Sequence, residues 1–248
     1  MTAYTPVVQI KTVSNRLVLE YAFAAYRVNR GYVKEAGLDG AVYSNRTIVE
    51  YSVKNWINDN HTGSALIHWT PNDFNSPEIT DEDRQGADQV DEHFKKYMFN
   101  SLAGKLNQFE NDVYSAICGD EVAITRVVLI AYVPELIIRD RSKWQFEKTV
   151  KTEYKNSSFQ EIENIEAVMT VLRAYDFQTH DYEKVRSVIL GYNSNLYQFY
   201  DKKRAVDLGS EGKKYHINAR IKGQSNEKST GATITRLNYV KVKPCQNQ

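Results

Sequence analysis

The run KKYHINARIKG, Lys213 to Gly223, separates into two rows when every second residue is taken. Tyr215, Ile217, Ala219 and Ile221 form an apolar row; Lys214, His216, Asn218, Arg220 and Lys222 form a cationic, hydrogen-bonding one. Side chains of a strand alternate between its two faces, so the run predicts a half-buried strand. Its polar row has the chemistry of a phosphate-binding surface. Unpaired nucleic acid is held by cations on its phosphates and by aromatic faces under its bases. The neighbouring sequence supplies both types at alternating spacing. Arg173 and Tyr175 share one row, Arg186 and Tyr192 a second, Tyr197 and Phe199 a third, and Arg236 lies in the last apolar-rich run. Together with Lys214, His216, Arg220 and Lys222 these are the candidate nucleic-acid contacts. Each has a structural alternative. One aromatic row must fill any barrel, and exposed Lys and Arg commonly protect strand edges.

Other chemistries find less support. Glu153-Tyr154-Lys155 is an ExK, and Asp140 lies 13 residues before it. Two acids and a lysine around a metal-bound water could cleave a phosphodiester, but they belong on adjoining strands and here lie in polar, linker-like sequence. The histidines (His61, His68, His93, His180 and His216) form no HxxxH or HExxH, and are read as surface or turn residues. Phosphate-loop, GxSxG and GxGxxG patterns are absent. Cys118 and Cys245 form no CxxC, and Cys118, closing an apolar helical run, is expected to be buried and inert. No cofactor or metal is expected, and a non-enzymatic protein is.

Composition fits this reading. Charged residues are 25% and hydrophobic ones 42%, ordinary for a soluble globular chain of one large or two small domains. The N-terminus lacks a basic-then-apolar leader layout. The longest apolar stretch, VVLIAYVPELII, is broken by Pro134 and Glu135. A cytoplasmic, non-membrane protein is expected. Charge is uneven: from Asn164 onward there are 14 Lys+Arg and 8 Asp+Glu, against 18 and 23 before it, which suggests two regions with different tasks. Asp73 to Glu92 holds eight acids and one arginine, which reads as a solvated loop and helix start, or else as a mimic of DNA or an attractor for a basic partner.

The elements that must position these residues follow from periodicity. SNRLVLEYAFAAYRVNRG predicts a helix capped by Ser14 and ended by Gly31. SNRTIVEYSVKNWINDN repeats its start: either two helices that begin alike or a duplicated hairpin. Thr80 caps a helix running to about Asn100. Another helix ends at Gly119. DEVAITRVVLIAYVPELIIRDRSKW is compatible with strand or helix, and the helical reading, with Pro134 early in the last helix, is preferred. KTVKTEYKNSSFQEIEN reads as a linker. Beyond it, AVMTVLRAYDFQT, KVRSVILGYNS, NLYQFYDKK, KKYHINARIKG and GATITRLNYVKVK are short strands separated by turn clusters. The predicted class is α+β: a mainly helical region over 1–160, then a small five-stranded OB-like β-barrel over 164–248.

The closing third resembles the OB-like domains of phage-encoded replication-associated proteins. The resemblance lies in VDLGSEGKKYHINARIKG and ATITRLNYVKV, with SVILGYNSNLYQFYDKK in place of the family's central aromatic hairpin. The family's usual KH-x-EYKGVKQT hairpin is replaced by KGQSNEKSTGAT, which keeps Lys222 and Lys228 and lacks the aromatic. The resemblance implies an accessory protein of phage replication or recombination in the host cytoplasm. Its barrel would bind single-stranded DNA, and its acidic helical region would contact replication proteins. A protein–protein adaptor is the alternative, and a metal-dependent nuclease the third reading.

Overall fold

The computed structural model describes residues 11–36, 42–60, 70–102, 106–178 and 184–245. The chain forms two compact units, Met1–Arg139 and Asp140–Gln248. His61, His68 and His180 lie outside the described residues.

The first unit is helical. A two-stranded ribbon pairs β1 (Thr12–Ser14) with β2 (Glu121–Ala123). Between them lie α1 (Asn15–Val28), α2 (Asn45–Asn60), α3 (Asp81–Asp88), α4 (Val90–Leu102) and α5 (Gln108–Ile117). After β2 come a 3-10 turn, α6 (Val127–Ile130) and α7 (Val133–Glu153). Helix α1 is central: Val18, Ala22 and Ala25 are fully buried, and their small size lets α2, α3 and α6 pack closely on it.

The asparagines that begin α1 and α2, alike in sequence, make different bonds. Asn15 donates from Nδ2 to the carbonyls of Ala116 and Gly119, at 3.2 and 3.0 Å. Asn45 accepts at Oδ1 from the Val33 N–H and from Asn29, both at 2.8 Å. Both are buried; the groups satisfied by Asn45 precede its own helix, and those satisfied by Asn15 lie at the end of α5. The predicted Ser14 cap is corrected: Ser14 ends β1 and its side chain makes no cap bond. Thr80 does cap α3, in a reciprocal box with Asp83, but the helix predicted to run to Asn100 breaks at Gln89. Pro134 sits early in α7, as expected.

Asp83 also receives Arg27 Nη2 at 2.9 Å and is 2% exposed. Burial alone would raise its carboxyl. The Arg27 guanidinium and the Thr80 N–H and hydroxyl more than offset this and hold it below the usual carboxylate range.

The second unit is a closed barrel. Its strands are β3 (Asn164–Gln178), β4 (Lys184–Tyr192), β5 (Asn195–Asp201), β6 (Lys214–Asn226) and β7 (Thr233–Pro244). Their order around the wall is β3-β4-β5-β7-β6, closing on β3. All neighbours are antiparallel except β5 and β7. This is the expected five-stranded OB-like barrel; strand number alone would equally allow an SH3-like barrel or a meander, and the order and closure decide it. β3 is long enough to serve twice: its first half pairs with β6 and its second with β4, with a bulge at Val171/Arg173 between. β4 and β5 join through Asn193-Ser194, both with positive φ, the conformation that matches strand twist in a two-residue hairpin.

The interior is filled by Met169, Val171, Val188, Leu190, Tyr197, Phe199, Tyr215 and Ile217. A second cluster lies outside the barrel wall: Phe146, Val150 and Tyr154 pack on Ile189, Leu196 and Ile234. The predicted linker is therefore corrected. Helix α7 runs on to Glu153, and the residues after it are fastened to the barrel. Ser157 Oγ donates to the Thr233 carbonyl at 2.7 Å and accepts from the Leu196 N–H at 2.9 Å. The Gln160 N–H donates to Thr235 Oγ1 at 3.2 Å. Gly191 is where Tyr154 lies against the wall, and a Cβ there would collide with the phenol.

Among the described residues no helix is long and apolar enough to cross a membrane.

Candidate nucleic-acid interface

The alternation of β5 decides which aromatics face out. Tyr197 and Phe199 are 2% and 4% exposed and lie in the barrel core. They are corrected from candidate contacts to core residues. Tyr200, one position on, is 47% exposed. A row predicted from YQFY alone could take either parity. The side that closes against Leu190 and Ile217 is the one with the larger apolar area to bury.

Arg186 is also corrected. It is 7% exposed and turned into the barrel end, where Nε donates to Asp176 at 2.8 Å and Nη1 to the Val206 carbonyl at 2.6 Å. The Arg186 hydrogen bond holds the Asp176 carboxyl below its ordinary range. This pair, with the arginine buried and the carboxylate partly open, is part of the fold. Tyr192 packs half-buried against the core, its ring 6.5 Å from that of Tyr197.

The row on β6 is exposed, as predicted, but partly neutralised by its neighbour β3. Glu163 pairs with Arg220 at 2.6 Å, and Glu166 with His216 at 3.4 Å. Glu166 also accepts from Asn218 at 2.9 Å. Lys214 and Lys222 make no ion pair among the described residues. The middle of the row thus faces acids, and the free cations are at its two ends.

A different wall gathers the remaining candidates. Helix α7 covers one end of the outer face of β3-β4-β5-β7, over Ile189, Leu196 and Ile234. It leaves the other end open as a shallow groove of about 520 Å³. Arg173 lies over the rings of Tyr175 and Phe146, at 4.7 and 5.6 Å to their centroids. Tyr175 is followed by Phe177 at 6.4 Å, and Phe177 by Tyr200 at 5.5 Å. Arg236 on β7 lies over Tyr200 at 5.6 Å. Gln198 donates to Ser187 at 2.9 Å on the groove floor. The result is a continuous stripe of three rings across β3 and β5 with a guanidinium at each end. Such a stripe presents aromatic faces and cations within one nucleotide's reach of one another.

One rim of the groove is the β6–β7 turn, Glu227 to Ser229. A single carboxylate orders it: Glu227 accepts from the N–H groups of Ser229 and Thr230, at 2.8 and 2.7 Å, and from both hydroxyls. Burial opposes the charge, and these donors outweigh it and lower the Glu227 carboxyl. In OB-folds this turn borders the face that takes oligonucleotides.

Of the predicted contacts, the structure brings Arg173, Tyr175 and Arg236 together. It leaves Lys214, His216 and Arg220 on another wall. Phe177 and Tyr200 were missed. The available signal was period two: Phe177 continues the Tyr175 row, and Tyr200 continues Gln198.

The enzyme candidates are dispersed. Glu153 and Lys155 are exposed at the end of α7 and in the turn after it, not on adjoining strands. Among the described residues no cluster of three His, Cys, Asp or Glu could hold a metal. Cys118 is exposed, contrary to expectation, and His93 is buried beside Phe94 rather than on the surface. No protein-family model matches the chain, and neither the curated proteins nor the solved structures give a match.

Proposed function

We propose that the barrel binds single-stranded nucleic acid, with DNA as the expected form, on the outer wall of β3, β4, β5 and β7. Bases stack on Tyr175, Phe177 and Tyr200, and phosphates meet Arg173 and Arg236. The observation that carries this reading is the open aromatic stripe, flanked by cations, at the end of the wall that α7 leaves uncovered. Tyr200 is exposed and Tyr175 and Phe177 are half-buried on the outer face, away from the barrel interior, and every base offers a face to such rings. An accessory role in phage replication or recombination is the setting that the tail's resemblance implies, without catalysis. In that setting the helical unit carries the contacts with replication proteins. Its exposed Glu82, Asp91 and Glu92 suit a basic partner, while Asp83 is taken up by Arg27.

The test is fluorescence anisotropy of a labelled oligothymidylate at about 50 and 200 mM salt. Binding that weakens with salt and falls by one to two decades with Tyr200→Ala supports the proposal. No binding at the lower salt favours the adaptor.

A further inference from the structure

The parallel pairing of β5 and β7 is short, Leu196–Gln198 against Ile234–Arg236. Beyond it the two strands part, and the gap is a trough of about 840 Å³ that shares Gln198, Tyr200 and Arg236 with the aromatic groove. Its floor is apolar, formed by Phe199, Leu237, Val240 and Val242. Its rim is cationic. Lys203, Lys222, Lys241 and Lys243 line it and make no ion pair among the described residues. The acid in its lining, Asp201, is 5% exposed and accepts from the Val206 N–H at 2.8 Å.

Tyr239 stands at this trough, 76% exposed, with φ of 51°. It lies in a bulge of β7, where Asn218 pairs with Lys241 and Arg220 with Asn238. A left-handed residue in a bulge is ordinarily glycine, which adopts that conformation without steric cost. A tyrosine there is strained and buries little. Strain of this kind clusters at ligand-binding sites.

We infer that the trough is a second segment of the same binding site, in which a single strand leaving the Tyr175–Phe177–Tyr200 stripe past Arg236 lays its phosphates on the lysine rim and stacks a further base on Tyr239. This rests on the proposed function and extends it. The substrate is a single strand longer than the aromatic stripe alone can hold, and duplex, whose bases are already stacked, is excluded from the second segment.

The test compares labelled oligothymidylates of about four and about ten nucleotides on the full chain, a span within the range of OB-fold site sizes. The longer strand is expected to bind at least tenfold more tightly. Tyr239→Gly removes the ring and relieves the backbone, so its thermal midpoint stays the same or rises. Its affinity for the longer strand falls severalfold, and for the shorter not at all. Lys241→Ala with Lys243→Ala produces the same selective loss. Equal wild-type affinity for both lengths, or equal losses for both, overturns the second segment while the stripe still stands. Failure of both strands to bind overturns the stripe and the extension together.

Discussion

Tyr200 and Tyr197 sit three residues apart on β5 and point to opposite sides of the barrel wall, so truncating each separates binding from folding. Tyr200 is 47% exposed, touching Phe177 and Arg236. Loss of its ring removes a tilted ring contact of about 1 kcal/mol from the fold. It also removes one base-stacking surface, about 1–3 kcal/mol of binding. That is about 5- to 150-fold in the dissociation constant. Tyr197 is 2% exposed within the core, and its truncation costs about 3–5 kcal/mol of stability. This is a large part of the total for a domain of this size. Urea denaturation with anisotropy on the same samples reads both quantities. Tyr200→Ala is expected to lower its midpoint only by the equivalent of about 1 kcal/mol and lose binding by one to two decades. Tyr197→Ala is expected to lose midpoint first, and binding only as the folded fraction falls. Wild-type affinity in a folded Tyr200→Ala variant would refute the assignment of the outer wall.

Three further outcomes follow from individual contacts. Arg220 already has Glu163 while Lys222 lines the trough unpaired, so Lys222→Ala should reduce the salt slope by about 0.7 and Arg220→Ala should leave it nearly unchanged. Parallel salt titrations of the two variants check this. The Asp83 carboxyl is held below its ordinary 3.8, so its contribution is full above that pH and is lost as the pH falls through the lower folded value. Arg27→Met should destabilise the helical unit by about 2 kcal/mol at neutral pH and much less in acid, read as denaturation midpoints across pH. Gly191→Ala drives a methyl into the Tyr154 phenol and should cost about 1–3 kcal/mol, measured by thermal unfolding.

Strand alternation made the barrel legible. All five predicted runs are strands, displaced by a few residues at their ends, because turn clusters and β-branched rows coincide there. The sequence pattern starts β3 about three residues late, since Asn164 to Glu166 look polar in isolation and are drawn into the sheet by pairing with β6. The linker failed for a related reason. Tyr154, Ser157 and Gln160 look like loop residues, and only the wall opposite them gives them partners. At the site, the residue types were legible and the parity was not. Four residues, Tyr197 to Tyr200, hold three aromatics, and no local rule says which row faces inward. Arg186 was misplaced because its partner Asp176 lies on the adjacent strand, and burial of an arginine is decided by that partner. Charge on β6 misled in the same way: Glu163 and Glu166 are remote in sequence from Arg220 and His216 and adjacent in the sheet.

The most direct measurement locates the bases on the wall. An oligonucleotide carrying 5-iodouracil is irradiated with the full chain, and the adducts are mapped by mass spectrometry. Adducts at Tyr175, Phe177 or Tyr200 are expected. Adducts confined to the β6 row around His216, or none at a concentration where anisotropy saturates, would contradict the central claim.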